Sequence, residues 1–179
     1  KADAALGELA VINYLIRDNH LTGLKIKSEF NTGNPEIEKL SIAVRNDWLE
    51  LQSILVKTMA SITEGEIQSL KNKWLLSGNA KLGTNKKIPL SQKERNWLKL
   101  HPEIRLGDDL QWAPVSFLNE EGEYSGISSS YVKIISERLG IKMNIIKELN
   151  WEQVMEKTRK REIDIMPAIM KSPERAQDF

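Results

Sequence analysis

Residues 104–117 read IRLGDDLQWAPVSF, and residues 164–175 read DIMPAIMKSPER. Between them the pattern predicts a hairpin turn, a helix, a strand and a second helix over residues 119–123, 127–139, 142–146 and 151–160. A further strand is predicted over residues 163–166. Strands alternating with helices indicate an α/β fold, in which ligands bind beyond the carboxyl ends of the strands. The polar and aromatic loop after the first strand is therefore a candidate ligand site.

The order of these elements and the two bracketing motifs resemble the first lobe of bacterial extracellular solute-binding domains of the polar-amino-acid type, also called Venus flytraps. The stretches LSIAVRNDW (residues 40–48) and ASITEGEIQSLKNKW (residues 60–74) look like the closing tail of such domains on sensor kinases. Residues 90–109, LSQKERNWLKLHPEIRLGDD, resemble the junction that opens the next domain of a tandem array. The resemblance implies an α/β fold of periplasmic-binding-protein-like lobes, present here as two half-domains.

The implied domain organisation has three parts. Residues 1–76 would be the C-terminal half of a first flytrap, and residues 99–179 the N-terminal half, or first lobe, of a second. Residues 77–98 would form a linker and a short helix, because residues 77–89 are rich in Gly, Asn and Lys and poor in apolar side chains. The chain begins with Lys-Ala-Asp rather than Met, which suggests a piece of a longer protein.

Composition excludes several classes of protein. The net charge of +1 gives no field that would recruit nucleic acid, and the basic clusters at residues 86–87 and 157–161 contain no interleaved aromatic side chain. No cysteine is present, so disulfides, thiolate catalysis and cysteine-ligated zinc are excluded. No nucleophile motif, phosphate-binding loop or dinucleotide-binding motif occurs. We expect no metal, no cofactor and no enzymatic activity in this chain.

The first half carries local signals of secondary structure. The patterns predict a strand, a helix, a second strand and a turn over residues 3–9, 10–19, 24–30 and 31–35. Asn46 or Asp47 is expected to cap the next helix. Capping boxes are predicted at residues 63–66 and 91–94, where a Ser or Thr precedes Glu by three positions.

The residues after the last strand include a candidate for carboxylate binding. Arg175 ends the Ser-Pro-Glu-Arg motif that begins at Ser172, and the resemblance places it at the family's carboxylate-binding position. A guanidinium suits this role because its parallel N–H donors match a carboxylate. The alternative is that Arg175 pairs with Glu174 or Asp178 on a solvated turn.

Three other side chains are candidates for ligand contact. Trp112 stands where the family places a stacking aromatic, and the alternative is a hydrophobic plug between the lobe and the hairpin. Asp109 could receive a ligand amine or orient the loop, with a solvated loop acid as the alternative. Glu8 lies near the position of a family acid for the ligand amino group, with structural pairing as its alternative. Because Glu8 belongs to the first half-domain, we do not expect it to face Arg175.

Some positions depart from the family pattern. Ala168 and Met170 stand where transport-type members have Ser or Thr, and Val115 follows Pro114 where Phe is common. Fewer hydroxyl donors would face an α-carboxylate, which puts a standard amino-acid ligand in doubt.

These observations favour a periplasmic ligand-sensing region of a transmembrane receptor, a hybrid sensor histidine kinase. Its partners would be a small molecule, such as an amino acid or another carboxylate, and the adjacent flytraps of the same chain. The alternatives are a soluble solute-binding protein of an amino-acid transporter and a flytrap-derived enzyme. The first is disfavoured because a carrier needs only one domain, and the second because no acid/base pair is present.

We also expect the two halves to contact each other. Apolar side chains of the first-half helices should dock on the sheet of residues 104–167, within one chain or by helix exchange between two: Leu51, Ile54, Leu55, Leu70 and Trp74. If they remained apart, the exposed apolar stripes would promote self-association.

Overall fold

The computed structural model describes residues 3–28, 33, 39–75 and 88–175. Its helices are α1 (Leu9–Asp18), α2 (Leu49–Ala60), α3 (Glu64–Leu75), α4 (Gln92–Leu100), α5 (Ile127–Leu139) and α6 (Trp151–Arg159). Its strands are β1 (Leu40–Val44), β2 (Glu103–Leu106), β3 (Gln111–Trp112), β4 (Ser116–Leu118), β5 (Tyr124–Ser125), β6 (Lys142–Ile145) and β7 (Ile165–Met170).

A four-stranded mixed sheet organises the molecule, with the strand order β1-β7-β2-β6. β2 pairs in parallel with both β6 and β7, as expected for strands joined by crossover helices. β1 comes from the first half of the chain and pairs with β7 in the antiparallel direction. The short strands β3, β4 and β5 form a separate antiparallel sheet.

β7 contains Pro167, which has no backbone donor for a sheet ladder. From Ser41 to Ala43, β1 advances by two residues, whereas the opposite part of β7, from Ile169 to Met166, advances by three. The extra residue makes a bulge in β7 at the proline, and bulges are among the few positions in a sheet that accept proline.

The first-half helices dock on the second half within one chain, as expected. Leu51 and Ile54 of α2 are fully buried in one cluster with Ile104 and Leu106 of the sheet. Leu55 belongs to the same cluster. The prediction that these three side chains dock on the sheet is therefore confirmed.

The docking of α3 differs in detail from the expectation. Leu70 packs with Ile134 of α5, and the Trp74 Nε1–H donates a hydrogen bond of 3.0 Å to the Ser130 hydroxyl of the same helix. Leu70 thus contacts α5 instead of the four-stranded sheet, because α5 covers that sheet at this place. Trp74 contacts α5 and also β4 of the smaller sheet, where its ring lies 6.1 Å from the ring of Phe117. The interpretation of Trp74 as a core residue is confirmed.

Buried charges also join the two halves. The Arg138 guanidinium donates to both carboxylate oxygens of Glu66, at 2.6 and 2.7 Å, and to the Ser61 hydroxyl at 2.7 Å. The side chains of Arg138 and Glu66 are only 4% and 5% exposed. Within the described residues, no buried side-chain nitrogen or oxygen lacks a hydrogen-bond partner. The contact between the halves therefore consists of paired polar groups as well as packed apolar side chains.

α4 packs on α2 through a charged contact. Glu94 closes the predicted capping box with Ser91 and accepts hydrogen bonds of 2.7 Å from Ser53 and Lys57 of α2. Lys57 comes first among the groups that lower the pKa of Glu94 to about 2. Leu98 of α4 lies in the main core cluster.

Helix ends were predicted with mixed success. The box of Thr63 and Glu66 is confirmed, with the Thr63 N–H donating to the Glu66 carboxylate at 2.8 Å. The expected cap at Asn46 or Asp47 is wrong, because α2 begins at Leu49 with Trp48 in the capping position and no side-chain cap. Asp47 is used elsewhere, since its carboxylate accepts hydrogen bonds from the Arg45 guanidinium at 2.7 and 2.8 Å.

Several strand predictions need correction. Residues 4–8 and 24–28 are not in strands, because neither an apolar run nor an alternating pattern forms a strand without a neighbouring strand to pair with. The last strand covers Ile165–Met170 rather than residues 163–166, since β1 extends its ladder. The predicted turn at residues 31–35 and the linker residues 77–87 lie outside the described residues, apart from Gly33.

Candidate functional site

The carboxyl ends of β2 and β7 lie at the same edge of the sheet, because the two strands are parallel neighbours. Asp109 and Trp112 follow β2, and Ser172 and Arg175 follow β7. Topology therefore brings four of the five candidate residues to one edge, which is where α/β sheets bind ligands.

The loop after β2 is closed by its own hydrogen bonds. The Asp109 carboxylate accepts a hydrogen bond of 3.0 Å from the Gln111 N–H, and the Asp109 carbonyl accepts one of 2.6 Å from the Ser116 hydroxyl. These contacts support a role for Asp109 in orienting the loop. One carboxylate oxygen already has a partner, which reduces its capacity to bind a ligand amine.

Trp112 is half-buried in the short strand β3, opposite Ser116 of β4. Its carbonyl accepts a hydrogen bond of 2.8 Å from the Val115 N–H, which closes the turn through the cis peptide bond between Ala113 and Pro114. A ring that is partly exposed on a fixed backbone can still offer a face to a ligand.

Sequence reasoning missed a buried acid of this edge, Asp108, which is 1% exposed. Its carboxylate accepts a hydrogen bond of 2.6 Å from the Tyr124 hydroxyl and one of 3.0 Å from the Asp109 N–H. The side chain joins the start of the loop to β5, and burial raises its pKa to about 6 although these hydrogen bonds favour the charged form. The sequence signal that could have identified Asp108 is its position directly after a buried strand and Gly107.

We predict that Asp108 makes stability depend on pH. The pKa of Asp108 rises from 3.8 to about 6 on folding, so the folded state binds the proton at a higher pH than the unfolded state does. The stability that comes from the protonated form is present below about pH 4 and is lost as the pH rises to about 6. In urea titrations, the stability of the wild type relative to Asp108→Asn should fall by about 2–3 kcal/mol between pH 4 and 7. A difference that stays constant over this range would contradict the prediction.

The turn of residues 172–175 is folded on itself. The Arg175 N–H donates to the Ser172 hydroxyl at 3.2 Å, and Arg175 Nη1 donates to the Met170 carbonyl at 2.9 Å. The guanidinium carbon lies 5.6 Å from the centroid of the Trp151 ring, within cation–π range. Among the described residues, Arg175 is thus held on the sheet edge by Met170 and Trp151. Asp178, one of its two expected alternative partners, lies outside the described residues. Nothing in the sequence pattern indicated Trp151 as its neighbour.

The start of α5 is occupied by the loop. The amides of Ile127 and Ser128 donate hydrogen bonds of 2.9 Å to the carbonyls of Pro114 and Val115. Gly126 allows this approach, because its φ is +116° and an added Cβ would lie 2.5 Å from the Val115 oxygen. The helix terminus therefore fixes the loop and has fewer amides left for an anion.

Glu8 is distant in the sequence from the other candidate residues, and it lies beside a different element of the fold. It precedes α1 and is exposed, and its carbonyl accepts a hydrogen bond of 2.9 Å from the Ile12 N–H. α1 contacts α3, and its Tyr14 ring lies 5.9 Å from the ring of Phe117 in β4. Within the described part of the chain, no hydrogen bond or ion pair links Glu8 to Arg175.

A second charged cluster surrounds Asp164 at the amino end of β7. Its buried carboxylate accepts hydrogen bonds from Arg105 at 2.7 and 2.9 Å and from Arg45 at 3.1 Å. Burial alone would raise the pKa of Asp164, but the bonds to Arg105 and Arg45 lower it below its usual value. This geometry is that of a structural residue, because both carboxylate oxygens of Asp164 bind side chains of the fold.

Two kinds of feature are absent from the described residues. Across residues 3–28, 33, 39–75 and 88–175, no group of His, Asp or Glu side chains has a geometry suited to a metal ion. No helix in these same ranges combines the length and apolar character needed to cross a membrane.

Comparison with known proteins confirms the resemblance found in the sequence. Residues 104–179 match the family described as "Bacterial extracellular solute-binding proteins, family 3". The virulence sensor protein BvgS of Bordetella bronchiseptica is 22% identical over 171 residues, which are 94% of this chain and 13% of that protein. The sensor protein EvgS of Escherichia coli K12 is 24% identical over 102 residues, 57% of this chain and 8% of that protein.

A solved structure shows the fold. The periplasmic domain of Bordetella pertussis BvgS matches with a TM-score of 0.50 and 23% identity, over 73% of this chain and 25% of that chain. The fold is α/β with lobes of the Venus flytrap kind, and the chain covers only part of a flytrap domain. The chain spans 13% or less of the length of the curated sensor proteins named above.

Proposed function

We propose that this chain is part of the periplasmic ligand-sensing region of a transmembrane receptor, a hybrid sensor histidine kinase. In this proposal a small molecule binds between flytrap lobes and shifts the equilibrium between open and closed forms. Only a ligand with different affinities for the two forms can do so. The chain itself supplies one lobe of the second flytrap and contributes no catalysis.

The observation that carries the proposal is the extent of the match to a sensor protein. The solute-binding family model covers residues 104–179 only, whereas the similarity to BvgS covers 94% of the chain and so includes the first half. A transport carrier of one flytrap would match the family without such a preceding segment. In the proposed division, residues 99–179 contain the family match, and residues 1–76 and 77–98 are the preceding half-flytrap and the linker with its short helix.

The proposed ligand carries a carboxylate, such as an amino acid. Arg175 would bind the carboxylate, Ser172 would hold the turn around it, and Trp112 would stack on the ligand, with Asp109 fixing the loop that carries Trp112. Glu8 lies in the first half, so it would contact the amino group of a ligand in the preceding flytrap. The shared location of four of these residues at one sheet edge supports their assignment to a single site.

A thermal-unfolding screen of a chain extended through the complete second flytrap tests the proposal, with amino acids and dicarboxylates as the probes. We expect a carboxylate to raise the unfolding temperature, and Arg175→Ala to weaken its binding by about 10- to 100-fold through the loss of charge-assisted hydrogen bonds. Arg95→Ala is a matched control, because it removes an exposed guanidinium on α4, far along the chain from the site.

Arg175→Lys separates the effect of the charge from that of the paired donors, since a lysine keeps the charge but loses the paired donors. Its binding should lie between those of the wild type and Arg175→Ala. A carboxylate whose stabilisation survives in Arg175→Ala would refute the role given to this residue.

A further inference from the structure

The loop after β2, residues 107–115, carries Asp109 and Trp112 and is held to the lobe near both of its ends. Near its carboxyl end, two backbone amides at the start of α5 donate hydrogen bonds of 2.9 Å to the last two carbonyls of the loop. Near its amino end, the contact is made by side chains, because the Tyr124 hydroxyl donates to the Asp108 carboxylate at 2.6 Å. This second contact can therefore be removed by changing one side chain.

The polar cluster around the Asp108 carboxylate joins several elements of the lobe. Its other members come from β4, β5 and α5, and they are Ser116, Tyr124 and Ser128. The Ser116 hydroxyl favours the charged form of Asp108 and also donates to the Asp109 carbonyl at 2.6 Å. All of these residues lie in the part of the chain that matches the solute-binding family, so the cluster is formed by the second half alone.

The hydrogen bond from Tyr124 is the strong contact of this cluster. Its length of 2.6 Å is typical of an O–H group that donates to a carboxylate. Burial and the neighbouring Asp109 carboxylate raise the pKa of Asp108, whereas the Tyr124 hydroxyl acts in the opposite direction. No ion pair between described residues includes Asp108, so hydroxyl and amide donors stabilise its charge without a cation.

Consecutive hydrogen bonds lead from Tyr124 to the position of Trp112. One carboxylate oxygen of Asp108 accepts from Tyr124, and the other accepts from the Asp109 N–H at 3.0 Å. The Asp109 carboxylate in turn accepts from the N–H of Gln111 at 3.0 Å, and this residue directly precedes Trp112. The geometry of the loop backbone therefore depends on how Asp108 is held.

We propose that Asp108 and Tyr124 are positioning residues of the ligand site, because their hydrogen bond fixes the backbone that presents Asp109 and Trp112 to the ligand. The inference deepens the proposed function and rests on it for the ligand roles of those two side chains. Asp108 is almost completely buried, so it acts through the loop and not by contact with the ligand.

Tyr124→Phe tests the positioning by the loss of a single hydroxyl. In a chain extended through the complete second flytrap, we expect the amides of Asp109, Gln111 and Val115 to exchange hydrogen about 3- to 10-fold faster than in the wild type. Tyr131→Phe is the matched control, because it removes a hydroxyl from α5 whose ring packs in a different apolar cluster. This control should leave the three exchange rates unchanged.

Fluorine NMR reports on Trp112 itself. With 5-fluorotryptophan in place of tryptophan, the signal that disappears in Trp112→Phe is assigned to Trp112. In the wild type this signal should shift with a midpoint near pH 6, because the pKa of Asp108 is about 6. The midpoint should rise in Tyr124→Phe, which lacks the donor that favours the charged form, and the shift should vanish in Asp108→Asn. A side chain that only adds stability would not move this midpoint.

Two substitutions of Asp108 separate hydrogen bonding from packing. In Asp108→Asn, the amide oxygen still accepts from the Asp109 N–H and the NH₂ group donates to the Tyr124 hydroxyl. We therefore expect Asp108→Asn to keep the loop exchange rates within about threefold of the wild type, and Asp108→Ala to raise them at least as much as Tyr124→Phe. This pair also decides the question if Tyr124→Phe fails to fold.

Calorimetric titration with the amino acids and dicarboxylates of the thermal-unfolding screen completes the test. Tyr124→Phe should weaken their binding by about 3- to 10-fold, and Tyr131→Phe should leave it unchanged. Three results would overturn the proposal: unchanged loop exchange in Tyr124→Phe, a Trp112 signal that does not follow the titration of Asp108, and unchanged affinity in Tyr124→Phe. A wild type that binds none of these probes would refute the proposed function, whereas the exchange and fluorine readouts need no ligand and decide the positioning separately.

Discussion

Arg138→Met is expected to destabilise the protein by about 3–5 kcal/mol, because it leaves the buried Glu66 carboxylate without its charge partner. Two hydrogen bonds from the guanidinium to Glu66 and one to Ser61 are lost together. Hydrogen bonds from Thr63 remain, but they cannot replace a full charge in a site where both side chains are almost completely buried. Urea denaturation followed by far-ultraviolet circular dichroism measures the change.

A second substitution separates the charge from the packing. Glu66→Gln in the Arg138→Met background should restore a large part of the loss, because a neutral amide keeps the capping box and removes the unpaired charge. Lys160→Met is the matched control, since Lys160 pairs with Glu156 on the surface and should change stability little. If Arg138→Met were as mild as Lys160→Met, the buried pair would not hold the halves together.

Ile54→Ala is expected to cost about 2–5 kcal/mol, through lost burial and the cavity left behind. Ile54 is fully buried in a cluster that also contains Ile104 and Leu106. The size of the effect reports on the contact between the halves, because an isolated first half would leave this side chain exposed to water. The measurement is the free energy of unfolding in urea.

Val56→Ala is the control on the same helix. Val56 is 65% exposed, so its truncation should change the unfolding free energy by less than about 0.5 kcal/mol. An Ile54→Ala variant that behaves like Val56→Ala would contradict the docking of α2 on the sheet.

Most features that depend on neighbours in the sequence were predicted, apart from the cap expected at Asn46 or Asp47. The capping boxes at Thr63 and Ser91 need a partner only three residues away, and the helix that ends at Gly140 needs only a left-handed residue, which has φ +66°. The resemblance of the two bracketing motifs added the fold and the edge of the sheet that carries the candidate site. Local chemistry and a recognised order of elements are both present in the sequence itself.

Features that depend on distant contacts were missed. The Glu66–Arg138 pair joins residues 72 positions apart, and Arg45–Asp164 joins residues 119 apart, so no spacing rule could find them. Residues 24–28 show the opposite error, since their alternation predicted a strand that has no partner. Asp108 was passed over because two adjacent carboxylates make no spaced acid/base pair, and only its burial distinguishes it.

The position of β1 in the sheet has a consequence for biosynthesis. Segment 39–75, which supplies β1, α2 and α3, precedes β7 in the sequence. Because a ribosome makes the chain from its amino terminus, β1 has already been synthesised when β7 leaves the exit tunnel. β7 can then pair with β1 during translation.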